Sequence, residues 1–216
     1  MFGKVVGLQT VTARGDAQAF AEYSYNDRGR GDHIVANWTL DAAGVPTAYS
    51  GQGNDYMKAA FAETFRRSGG RAYWRNRSEH GAQSIAAEAF YVPTNAPPEF
   101  LGVLARALLK APEHRLPLLP SGEARIAAAG SMTVTLAGGG KTALTQYRVT
   151  GLDFSPTPVW LDHDGNTAAI VSSWISVLSA PYRESMQALL DAQNHTDIEW
   201  FAELARQHTH VPAGDL

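Results

Sequence analysis

The sequence predicts an α+β fold: a strongly curved antiparallel meander sheet, or part-barrel, packed around two helices. Three observations carry the prediction. First, short runs of β-forming residues end repeatedly in Gly- or Asp-containing turns. Residues 35–40 precede Asp41-Ala42-Ala43-Gly44, residues 131–136 precede Gly138-Gly139-Gly140, and residues 158–161 precede Asp162-His163-Asp164-Gly165. Strands joined this tightly pair antiparallel, because a parallel return needs a long crossover. Second, two stretches, residues 98–111 and 181–207, carry apolar residues at helical spacing. Third, two helices cannot cover both faces of about ten strands, so the sheet must curl around one or both of them.

Residues 3–53 read as four strands: 3–12 with Val5, Val6, Leu8 and Val11, then 17–25, 33–40 and 45–50. The connection Asn26-Asp27-Arg28-Gly29-Arg30-Gly31 is rich in residues that tolerate positive φ. Gly51-Gln52-Gly53-Asn54-Asp55 reads as a second loop. Residues 57–66 fit two patterns. Ala59, Ala60 and Ala62 allow a helix, whereas Phe61, Glu63 and Phe65 alternate as in a strand. The turn at Gly69-Gly70 and the strand at 71–77 favour a hairpin there.

Residues 83–91 lead as a strand into Pro93. Pro97-Pro98 opens a helix at the one position that tolerates proline. Phe100, Leu101, Leu104, Leu108 and Leu109 share a face of it, with Arg106 and Lys110 off that face, and Pro112 ends it. Residues 114–120 read as an extended connection. A second strand set spans residues 123–175, turning at Ala129-Gly130, at 138–140, at Ser155-Pro156 and at 162–165. The last helix presents Tyr182, Met186, Leu189, Leu190, Ile198, Phe201 and Leu204, with Asn194-His195-Thr196-Asp197 interrupting the pattern. The whole reads as a single β-rich domain over residues 1–216: strands 3–91, helix 98–111, strands 123–175, helix 181–207.

Composition narrows function by exclusion. A net charge of −3 argues against a dedicated nucleic-acid binder, which carries a basic surplus. With no cysteine, disulfides and thiolate metal sites are out. No apolar run approaches the ~20 residues that cross a bilayer. Met1-Phe2-Gly3-Lys4 is not followed by the apolar segment of a signal peptide.

Three motifs resemble chemistry and fail on context. Gly138-Gly139-Gly140-Lys141-Thr142 looks like a phosphate loop, but Thr135 stands where its first glycine belongs, and a strand follows where a helix is needed. Asp162-His163-Asp164-Gly165-Asn166 offers oxygen ligands, but its glycine falls too early for a calcium loop, and an Asp-Gly turn accounts for it. His208-Thr209-His210 puts two imidazoles at strand spacing, with no third ligand close in sequence. No Gly-x-Ser-x-Gly elbow occurs, so a His/Asp hydrolytic site would have to be assembled by folding. The candidate ligand or partner contacts are Arg28 and Arg30 in the first loop and the aromatic residues Trp38, Trp74 and Trp160. In a curved sheet, those rings would either line an apolar cavity, as in lipoprotein carriers, or pack on the helices. No catalytic, cofactor-binding or metal-ligating residue is assigned.

Several segments together resemble a known family: Tyr23-Ser24-Tyr25-Asn26-Asp27-Arg28-Gly29-Arg30-Gly31, Leu40-Asp41-Ala42-Ala43-Gly44-Val45-Pro46, Phe90-Tyr91-Val92-Pro93, Leu104-Ala105-Arg106-Ala107-Leu108-Leu109, and Gly151-Leu152-Asp153-Phe154-Ser155-Pro156 before Val159-Trp160-Leu161-Asp162. The pattern is similar to the N-terminal region of certain bacterial secreted amidohydrolase-superfamily proteins, over nearly the whole chain up to Gly214. The resemblance implies an accessory domain, periplasmic or secreted in its parent protein, with the chemistry in a following barrel. A divalent metal would belong to that barrel, and His208-Thr209-His210 has the family's letters in the wrong setting. The implied partners are the catalytic barrel and further copies of the chain, with neither nucleic acid nor a membrane span. The alternatives are a stand-alone module holding an apolar ligand and a small hydrolase with a His/Asp site; a stand-alone unit would be cytoplasmic as readily as exported.

Overall fold

The computed structural model describes residues 4–15, 17–85 and 88–208, which form a curved, β-rich α+β fold with two helices. The strands divide between two seven-stranded sheets. In the first, β1 (Gly7–Ala13), β2 (Gln18–Tyr25), β3 (His33–Leu40), β4 (Pro46–Asn54), β5 (Ala60–Ser68), β6 (Arg71–Arg75) and β7 (His80–Ser84) lie in chain order. Every neighbouring pair in it is antiparallel, as its short turns require. The second sheet holds β8 (Phe90–Tyr91), β9 (Arg115–Leu119), β10 (Glu123–Thr135), β11 (Lys141–Thr150), β12 (Thr157–Leu161), β13 (Thr167–Ile170) and β14 (Val177–Leu178), again in chain order. Its parallel pair, β8 with β9, is the one whose connection contains a helix, α1 (Glu99–Lys110).

That helix joins the two sheets into one core. Phe100 meets Trp38 at 5.4 Å and Tyr49 at 5.0 Å from the first sheet, and Phe90 at 5.5 Å from the second. Its neighbours Val103, Leu104 and Leu108 are buried in the same cluster as Val149, Val159 and Leu161 of the second sheet. Each such side chain stabilises the fold by about 1.5–3 kcal/mol relative to exposure.

Five sequence expectations change. Gly51 and Gly53 lie inside β4, not in a loop. A Cβ on Gly51 would stand 2.8 Å from the Tyr49 hydroxyl, and one on Gly53 would stand 1.8 Å from the His33 carbonyl oxygen, so both glycines make room within a paired strand. The stretch read as a strand over 83–91 is divided between β7 and β8, which belong to different sheets. Residues 115–119 of the extended connection form a strand, 115–117 pairing with β10 and 118–119 with β8. The last helix starts as a 3-10 turn at Ala180–Ser185 and continues unbroken as α2 (Met186–His208), so Asn194 to Asp197 do not interrupt it.

The fifth change decides the layout of the second sheet. Ala129-Gly130 is not a turn but a bulge within β10, where the register shifts between Ala128 and Gly130. One extra residue in a strand exchanges its faces. Before the bulge, Ala124 and Ile126 pack in the α1 core; after it, Val134 and Met132 pack in a second cluster with Tyr182 and Leu189. The sheet therefore carries α1 on one side and α2 on the other.

Candidate functional site

The Asp41 and Asp162 turns named by the sequence fold as turns. Asp41 Oδ1 accepts the N–H groups of Ala43 (3.0 Å) and Val45 (2.9 Å), and Asp162 Oδ1 accepts those of Asp164 (3.0 Å) and Asn166 (2.8 Å). The two Leu-Asp-x-x-Gly segments thus build one and the same hairpin closure. Gly138 to Gly140 joins β10 to β11 as a hairpin turn, and a strand follows it. Thr209 and His210 lie outside the described residues. Among the described residues, no three His, Cys, Asp or Glu side chains stand together as a metal site.

Arg28 and Arg30 occupy the β2–β3 loop. Arg28 has positive φ and an 80% exposed side chain 3.9 Å from Asp27. Arg30 lies over the Tyr56 ring at 5.2 Å, while the Tyr56 hydroxyl donates to Asp27 Oδ2 at 2.8 Å. Trp174, from the connection between β13 and β14, meets Tyr56 edge-on at 5.4 Å. Trp38 and Trp160 are fully buried, on α1 and beneath α2 respectively. Trp74 is half-buried and lies against Gly81, where a Cβ would come within 2.2 Å of its ring. Trp38 and Trp74 share the core cluster of the first sheet and α1, whereas Trp160 lies in the second cluster, beneath α2.

The polar centre of the first sheet is one the sequence reading passed over: Glu63. It sits on β5 between Phe61 and Phe65 on the inward face and is only 2% exposed. Its carboxylate accepts the Tyr91 hydroxyl at 2.6 Å, the Thr94 N–H at 2.9 and 3.1 Å, and the Asn95 N–H at 3.2 Å. Tyr49, whose hydroxyl donates to the Asn95 carbonyl at 2.8 Å, closes the group. Burial pushes the Tyr49 and Tyr91 hydroxyls well above their usual range, and the nearby carboxylate adds to the effect. A small cleft beside it, lined by Phe61, Glu63, Asn76, Arg77, Thr94 and Asn95, encloses about 20 Å³. That is room for one water. Chemically, the arrangement fastens the loop before α1 to the sheet. The signal for it was legible: a carboxylate between two inward-facing phenylalanines in an alternating strand.

A second polar group lies under α2. Thr196 Oγ1 donates to Gln146 Oε1 at 3.0 Å, Gln193 Nε2 donates to the Val171 carbonyl at 3.1 Å, and Arg148 bonds the Thr196 carbonyl and lies 3.5 Å from Asp197. Gln146 Nε2, Gln193 Oε1 and Trp160 Nε1 are buried there without a partner. Apart from Leu189, little of this long helix is buried. Its second half presents Ile198, Phe201 and Leu204, which are 69, 48 and 37% exposed.

His33, His163 and His195 each lie near one carboxylate, at 3.2, 3.2 and 3.3 Å, and none touches a hydroxyl among the described residues. No described helix is long and apolar enough to cross a membrane.

No family model and no curated protein matches the chain. Among solved structures, it is similar to a crystal structure of a DUF1089 family protein from Pseudomonas aeruginosa. The identity is 14% and the TM-score 0.41, over 76% of this chain and 89% of that one. So slight a likeness carries no inference about function.

Proposed function

We propose that this chain is a non-catalytic accessory domain of an amidohydrolase-like, metal-dependent hydrolase. In this reading it packs on the catalytic barrel and shapes substrate access or assembly. One observation carries the reading: the apolar ridge of Ile198, Phe201 and Leu204 on the half of α2 that the domain itself leaves uncovered. A helix with an apolar stripe gains stability only when that stripe is covered. The polar groups support the same reading. Glu63, the most deeply buried carboxylate among the described residues, spends its acceptor capacity on Tyr91 and the 94–95 backbone. The cleft beside it is far below the roughly 300 Å³ at which ligand pockets begin.

Two measurements test the proposal. The purified chain, assayed with zinc or manganese against a panel of amides and esters, should give background rates. Turnover that one substitution abolishes would overturn the proposal. A variant carrying Ile198→Glu, Phe201→Glu and Leu204→Glu should keep its stability within about 0.5 kcal/mol per site, as exposed positions do. A cost above about 2 kcal/mol per site would mean that the ridge belongs to this domain's own core.

A further inference from the structure

The outer face of the β5–β6–β7 corner is basic, and it stands apart from the ridge on α2. Register puts Arg66, Tyr73, Arg71, Arg75 and His80 on one face: Arg66 pairs with Tyr73, Arg71 with Ser84, Tyr73 with Ala82, and Arg75 with His80. Arg66 and Arg71 lie over the Tyr73 ring at 4.3 and 5.8 Å, which holds both guanidinium groups along the strand. Arg66, Arg71 and Arg75 are all exposed, and none forms an ion pair with a described residue. Their neighbours differ: Arg67 is paired with Asp41 and Arg77 with Asp55. On a chain of net charge −3, this is a local positive surplus.

The same corner ends in an open edge. β7 is the last strand of its sheet and pairs with β6 alone. The N–H of Asn76 bonds the Glu79 carbonyl and that of Ile85 bonds the Gly70 carbonyl, so Gly81 and Gln83 share that phase and direct their backbone groups to β6. His80, Ala82 and Ser84 then direct theirs outward. Their side chains on the basic face include two small ones, Ala82 and Ser84, between the arginines and the edge.

The geometry points to strand addition: the β7 edge takes an extended acidic segment of a partner protein, with Asp or Glu at alternate positions turned toward Arg71, Arg75 and His80. The backbone ladder supplies the docking surface and the arginines supply the charge preference. An added strand lies two interstrand spacings, about 10 Å, from β6. Arg and Glu side chains reaching toward one another over Ala82 and Ser84 close that gap. The inference is independent of any catalytic partner.

The probe is a fluorescein-labelled seven-residue peptide with Glu at alternate positions and Val or Thr between, followed by fluorescence anisotropy with the full chain. Saturable binding is expected, weakened by added salt. Arg71→Gln with Arg75→Gln should raise Kd about tenfold, as loss of two partly exposed charge pairs does. These are surface changes, and circular dichroism verifies that the fold is kept. A peptide N-methylated at alternate amides keeps its charge but cannot join the ladder, and it should lose binding in one of the two methylation phases. Three results would overturn the proposal: no saturable binding, equal binding of both methylated peptides, or heparin fragments or anionic vesicles that bind this face while the peptide cannot displace them. The first would leave the arginines as edge charges that keep chains apart.

Discussion

Replacing Glu63 by Leu tests the polar centre most directly. The change removes the acceptor for three donors: the Tyr91 hydroxyl and the N–H groups of Thr94 and Asn95. A buried donor left without a partner costs about 1–3 kcal/mol. Tyr91 is 1% exposed and bears that cost in full. Thr94 is exposed and Asn95 half-buried, so water replaces part of what they lose. The expected destabilisation is about 2–4 kcal/mol, with the cost concentrated on Tyr91. In a chain of this size, that lowers Tm by roughly 4–16 °C. Urea unfolding should show a lower midpoint with an unchanged slope. The decisive comparison is with Glu63→Leu combined with Tyr91→Phe. Removing the stranded hydroxyl should return about 1–2 kcal/mol, because replacing both members of a buried polar pair is far milder than replacing one. A double variant less stable than Glu63→Leu alone would refute the reasoning, as would a single-variant cost below about 1 kcal/mol.

Other outcomes follow from the same structure. Burial holds the Tyr23, Tyr49 and Tyr91 hydroxyls above the ordinary value of 10.0. The unfolded chain releases those protons first, so their contribution to stability is full below pH 10 and should fall between about pH 10 and 12 in urea titrations. Burial alone would raise the Asp162 pKa, but the N–H groups of Asn166 and Asp164, the Asn166 amide and the Tyr182 hydroxyl together lower it. Its contribution is present above the ordinary carboxylate value and is lost as pH falls through the lower folded value, so Asp162→Asn should flatten the acid limb of the stability curve. Leu189→Ala, at a fully buried site, should cost about 2–4 kcal/mol, while Phe201→Ala on the same helix should stay within about 0.5, both read from urea midpoints. Gly151→Ala should cost about 2 kcal/mol or more, because Gly151 has φ of +92° and a Cβ would meet the Glu123 carbonyl oxygen at 1.9 Å.

Much of the local structure is written in the residues themselves. The Asp41 and Asp162 turns could be read because an Asp side chain bonding the backbone two and four positions on is a local event. The α1 helix and its apolar face were equally plain. The strand boundaries at Gly51 and Gly53 were not, because a glycine in a turn and a glycine making room under Tyr49 or against the His33 carbonyl look alike in sequence. The bulge at Ala129-Gly130 was read as a turn for the same reason: the residues permit either, and pairing with β11 selects one.

The candidate site divides along the same line. Glu63 carries a signal within its own strand, since Phe61 and Phe65 set the buried face on which it must lie. Gln146 and Gln193 carry none, because their burial exists only where α2 crosses the second sheet. Short-range chemistry determined the Asp-closed hairpin turns and the α1 helix of this protein. The division into two sheets, the exchange of faces along β10 and the half of α2 left uncovered were decided by contacts between residues far apart in the chain. Pattern fixes which side chains seek burial, but only the assembled elements fix how much surface is available to bury them.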